Sequence, residues 1–109
     1  MNVVNKNEGP KIEYSVTGNI ISFRDEIMLN LSKYERDDTN HIDICADSMG
    51  CLVCGTAAGL RYVAEIDIPA RTYIETPVEN PEEGEPATRL EPVPFDIDKC
   101  TLTLWDLEV

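Results

Sequence analysis

Between Lys11 and Phe23 the sequence "KIEYSVTGNIISF" alternates apolar and polar side chains with a period of two, the signature of a half-buried strand rather than a helix. Ile12, Tyr14 and Val16 share one face, and Lys11, Glu13 and Ser15 the other. Gly18-Asn19 breaks the pattern with two residue types that tolerate a left-handed backbone, a two-residue hairpin signal. Pairing Thr17 with Ile20 sets Val16 against Ile21 and Tyr14 against Phe23. Most of the large apolar groups then gather on one side, which fixes the register.

A second hairpin is encoded in "HIDICADSMGCLVCG", His41 to Gly55. "DSMG" fits a type I turn, with Asp47 first and Gly50 last. Pairing Asp47 with Cys51 sets Ala46 against Leu52, Cys45 against Val53 and Ile44 against Cys54. Ile42, Ile44, Ala46, Leu52 and Cys54 then form an apolar face, on which Cys54 behaves as a small buried hydrophobe. The same stretch admits a metal reading. It holds the one histidine and three of the four cysteines, and His41, Cys45, Cys51 and Cys54 would make a tetrahedral zinc set. Side-chain direction decides between the two. Residues three apart on a strand point to opposite faces, so a strand carrying both Cys51 and Cys54 cannot aim them at one ion. The hairpin is the primary reading, with no metal or other cofactor, and zinc on those four residues is the alternative.

The remaining segments also read as strands. "EIMLNLSKY" serves as a strand through Ile27, Leu29 and Leu31, or as a helix through Ile27, Leu31 and Tyr34 with Asp25 as its cap. "LRYVAEIDIPARTYIETPV" is strand-like with Tyr62, Ala64, Ile66 and Ile68 on one face, and splits at Pro69-Ala70, because proline cannot donate to a ladder. "FDIDKCTLTLW" closes the series, with Leu102 and Leu104 on one face and Thr103, Trp105 and Leu107 on the other, as in a central, covered strand. Trp105 is assigned to the core, with a partner-binding anchor as the alternative if it is exposed.

The fold class that follows is all-β, a small antiparallel sandwich or open barrel, with room for one short helix near 26–35. Residues 1–10 are polar and contain Gly9-Pro10, and are expected to be a flexible N-terminal arm. Residues 11–109 form one β-rich domain with a mobile acidic loop at about 79–91, where prolines and glutamates crowd together. At 109 residues such a domain buries a core without needing a metal or disulfides as staples.

Charge narrows the function. With 21 acidic against 9 basic residues and a net charge of −12, the surface repels a phosphate backbone, which argues against direct nucleic-acid binding. No apolar run approaches the ~20 residues of a membrane helix, and "MNVVNKNEGPK" lacks the apolar core of a signal peptide. The expected location is the cytoplasm, with reduced thiols. No nucleophile is tied to His41 by any motif, no phosphate-binding glycine loop is present, and the carboxylates of "DICAD" and "FDID" lack calcium-loop spacing. The chain therefore reads as non-catalytic.

"RYVAEIDIPARTY" and "EPVPFDIDKCTLTLW" resemble parts of small uncharacterised proteins carried by prophages and other mobile elements of Gram-positive bacteria. The resemblance covers roughly the C-terminal half. It implies an accessory protein rather than a metabolic enzyme, and brings no assigned site. The function expected is a protein-interaction or accessory domain. Its contact candidates are an edge strand near Pro69, which could also mediate self-association, and the acidic residues Glu79, Glu82, Glu83 and Glu85. An acidic nucleic-acid mimic, inhibiting a nucleic-acid-binding protein, and a small zinc-binding protein are the alternatives.

Overall fold

The computed structural model describes residues 1–80, 82–84 and 87–107. The chain is mostly strand. β1 (Asn2–Asn5), β2 (Tyr14–Thr17), β3 (Ile20–Phe23) and β4 (Ile27–Asn30) precede a single 3-10 turn at Leu31–Tyr34. Then come β5 (Asn40–Ala46), β6 (Leu52–Cys54), β7 (Arg61–Ile68), β8 (Tyr73–Pro77) and β9 (Thr88–Pro92), a short 3-10 turn at Ile97–Lys99, and β10 (Thr101–Leu104). The strands form a five-stranded sheet in the order β1-β10-β7-β5-β6, a three-stranded sheet β2-β3-β4, and a two-stranded ribbon β8-β9. The all-β expectation holds, and no sheet closes into a barrel.

The hairpin registers follow the alternation. Tyr14 pairs with Phe23, Val16 with Ile21 and Thr17 with Ile20. Gly18 supplies the left-handed residue of that turn, at φ +59°. Ala46 pairs with Leu52, Cys45 with Val53 and Ile44 with Cys54. The Gly50 amide donates to the Asp47 carbonyl at 3.0 Å, while Asp47 Oδ1 accepts from the amides of Met49 and Cys51, each at 2.9 Å. Segment 26–34 takes the strand reading over Ile27–Asn30, and a short 3-10 turn at Leu31–Tyr34 replaces the helix from Ile27 to Tyr34. The turn's cap is Asn30, whose Oδ1 accepts from the Ser32 amide, and not Asp25. Asp25 instead shares a tight left-handed turn with Arg24, at φ +58° and +48°.

One core lies between the three- and five-stranded sheets. Ile21, Phe23 and Leu29 from the first meet Ile44, Ala64, Ile66, Ile68, Leu102 and Leu104 from the second, joined by Ile12 and by Leu31 of the 3-10 turn. The Arg24–Glu26 turn latches the smaller sheet to the β5–β6 hairpin, with Arg24 Nη2 donating to the Gly50 carbonyl at 2.9 Å.

Four sequence expectations need correction. Residues 1–10 are not a loose arm. β1 runs parallel to β10, Val3 opposite Leu102, and the Leu107 amide donates to the Pro10 carbonyl at 2.9 Å. Four residues of "NVVN" give too short a pattern to reveal a strand whose partner lies about a hundred residues on. Pro69 lies on no edge strand, because it follows β7, which is flanked by β10 and β5. The stretch 79–91 is not all loop, since Thr88–Pro92 is strand β9. Cys54 is exposed, because β6 is the outermost strand of its sheet.

A bulge alters one face. The β5–β7 register shifts between Ile44 and Cys45, so Ile44 pairs with Ala64 but Cys45 with Tyr62. The extra residue, Val63, moves Tyr62 off the face that Ala64, Ile66 and Ile68 present to the core.

Candidate functional site

Two features stand outside the core. The first is the outer face of the five-stranded sheet. Residues two apart on a strand share a face, so His41 and Asp43 of β5 lie together, as do Glu65 and Asp67 of β7. The register sets His41 opposite Asp67 and Asp43 opposite Glu65. His41 Nδ1 lies 2.5 Å from Asp67 Oδ1 and Nε2 lies 2.6 Å from Asp43 Oδ1. Glu65 Oε1 is 3.4 Å from the same Nε2. The hydrogen bond to Asp67 and, behind an opposing cost of burial, that to Asp43 raise the imidazole pKa above its ordinary value.

Trp105 extends this row. Its indole N–H donates to Glu65 Oε2 at 2.7 Å, and its ring stacks on Tyr62 with centroids 5.2 Å apart. Lys6 Nζ lies 5.5 Å from the Trp105 centroid, within cation–π range. Trp105 is half-buried on this outer face, a departure from the core position expected of it. A cavity of about 210 Å³ adjoins the pair, lined in part by Leu60, Val63 and Leu107.

The second feature is the β8–β9 ribbon. It hydrogen-bonds to neither sheet, and none of its residues belongs to the core. The molecule measures 64 × 25 × 23 Å with a radius of gyration of 18.6 Å, against about 13 Å for a compact chain of this length. Extended residues advance about 3.4 Å each, so a projecting hairpin accounts for the extra length.

Its base is fastened from the loop after Tyr34. The Arg71 guanidinium donates to Glu35 Oε1 at 3.3 Å, to Asp37 Oδ1 at 3.2 Å and to the Glu35 carbonyl at 3.0 Å. The Arg71 amide donates to the Arg36 carbonyl at 2.7 Å, and the Tyr73 hydroxyl donates to the Asp37 carboxylate. Beyond this anchor Ile74 is 55% exposed and Leu90 66% exposed. Ile74 stands opposite Glu91 and Leu90 opposite Glu75, so the two lie on opposite faces of the ribbon, and Glu79, Glu82 and Glu83 follow beyond the paired strands, all exposed.

The expected contact residues are therefore divided. Glu79, Glu82 and Glu83 lie at the far end of the ribbon, Glu85 lies outside the described residues, and Pro69 sits at the foot of the body beside Glu35 and Phe95. The alternative zinc set does not assemble. Cys45 is buried, Cys51 and Cys54 are exposed, and His41 turns to carboxylates instead of thiols. Among the described residues the metal-competent group is His41, Asp43 and Glu65. The sequence signal for it was two polar pairs at i, i+2, His41/Asp43 and Glu65/Asp67, on strands that only tertiary pairing brings together. Comparison with protein-family models, curated proteins and solved structures finds no match to this chain.

Proposed function

We propose that this protein is a non-catalytic interaction domain that engages a partner protein through the β8–β9 ribbon. The observation that carries the reading is an isolated two-stranded ribbon with exposed Ile74 and Leu90. Such a ribbon is marginal in water by itself, and apolar groups at its flanks gain by being covered. Its free strand edges offer main-chain hydrogen bonds to an added strand. The glutamates beside and beyond these residues select a partner that brings basic residues next to its apolar contacts. The same glutamates, on a chain of net charge −12, oppose a second copy of the chain.

The test is capture of binding proteins by the intact chain and by the double variant Ile74→Asp/Leu90→Asp. Proteins retained by the intact chain and lost by the folded variant support the reading. Equal recovery on both sinks it. Steep loss of binding with added salt, unaffected by the double variant, would favour the acidic mimic instead.

A further inference from the structure

We infer that His41, Asp43 and Glu65 form a binding site for a divalent transition-metal ion of the zinc class, with Asp67 and Trp105 as positioning residues. The site is separate from the ribbon and does not depend on it. His41 Nε2, Asp43 and Glu65 each offer one ligand atom, and these atoms lie within 4.8 Å of one another. Two of the spacings are 2.6 Å and 3.4 Å. Tetrahedral ligands bound at about 2.1 Å to a common ion stand about 3.4 Å apart, so the Glu65 spacing already fits and Asp43 must draw back by under about 1 Å.

The far atom of two of the three ligands is already held. Asp67 faces His41 Nδ1 at 2.5 Å, which stations a proton there and leaves the Nε2 lone pair for a metal. The Trp105 indole holds Glu65 Oε2 at 2.7 Å, which leaves Oε1 to face inward. A carboxylate behind the histidine and a hydrogen bond behind the carboxylate are the outer supports that metal ligands use. The framework is stiff, since β5 and β7 are adjacent strands of the main sheet.

Charge favours the ion as well. Asp43, Glu65 and Asp67 set three carboxylates around the imidazole, and a divalent ion on Nε2 offsets that concentration of negative charge. Three protein ligands leave further positions open to water, because His41 is 44% exposed. A mixed imidazole and carboxylate set suits zinc better than magnesium, which takes oxygen and keeps its waters.

The experiment is calorimetric titration of zinc chloride into the full chain after chelator treatment, with emission from Trp105, the single tryptophan, recorded in parallel. One equivalent is expected to bind and to shift that emission, while magnesium does neither. Asp43→Asn and Glu65→Gln are near-isosteric and should each weaken zinc by about tenfold or more, with the fold verified by circular dichroism. Cys51→Ser/Cys54→Ser should leave affinity unchanged. No binding at millimolar zinc would overturn the inference. So would affinity unchanged in both carboxylate variants, or affinity lost only with the exposed thiols.

Discussion

Gly9 shows how much one residue can decide. Its φ is +122°, and a Cβ there would fall inside the Asp106 carboxylate. Gly9→Ala therefore meets both a backbone penalty and a clash. It is expected to cost roughly 2 kcal/mol or more and to lower Tm by about 10 °C, read by thermal denaturation. His41 makes a different prediction. Its folded pKa is raised above the ordinary 6.5, chiefly by the hydrogen bond to Asp67. A raised pKa means that the native state holds the proton more tightly. The stability it contributes is full below pH 6.5 and is lost as pH rises through the higher folded value. Asp43, Glu65 and Asp67 are the charged groups facing the ring. In chelator-treated protein His41→Gln should lower Tm at about pH 6 more than at about pH 8, and an equal loss at both would contradict the assignment. Of these residues, the sequence singled out His41 only as a member of a zinc set with three cysteines, not with these carboxylates. Asp43 lies two residues along the same strand, but Glu65 and Asp67 sit on a strand more than twenty residues away, and no local spacing encodes that pairing.

Strands with a clear period and a turn residue were legible at the scale of elements. The Gly18 turn and the Asp47–Gly50 turn fixed their hairpins to the residue, because a one-residue slip would have turned each apolar face to water. β1 and β9 were hidden for opposite reasons. β1 has too little pattern, and the prolines and glutamates around β9 mimic a loop. The bulge at Val63 was equally unreadable, since an inserted residue leaves the apolar count unchanged while it moves Tyr62 to another face. The ribbon makes its own prediction. Since it contributes nothing to the core, replacing residues 74–91 with a short glycine turn should shift Tm by only a few degrees. A collapse in Tm on that deletion would show that the ribbon is an integral part of the fold.

For the whole molecule, burial divides the four cysteines into two pairs. Cys45 and Cys100 are buried; burial raises the thiol pKa of both and of Cys54 as well, so access rather than acidity separates the pairs. Cys51 and Cys54 are exposed. Brief alkylation of the native protein should add two groups, located by mass spectrometry at Cys51 and Cys54, and denaturation should release the remaining two. Early labelling of Cys45 or Cys100 would place the core elsewhere. The sequence anticipated an all-β body with its apolar faces sequestered, because alternation reports burial directly. It did not convey the elongated outline, which depends on a ribbon leaving the body and so on contacts that are not made.

The parallel pairing of β1 with β10 also orders events in time. During synthesis β1 leaves the ribosome ahead of every other strand, yet the strand it pairs with follows all the others. The hairpins β2–β3 and β5–β6 can close within microseconds of emerging, while β1 waits unpaired across the largest loop in the molecule. Closing that loop is an entropic cost met only near the end. Completion of the main sheet is thus set as the late, slow step, and until then β10 and β7 remain open to other strands in a crowded cell.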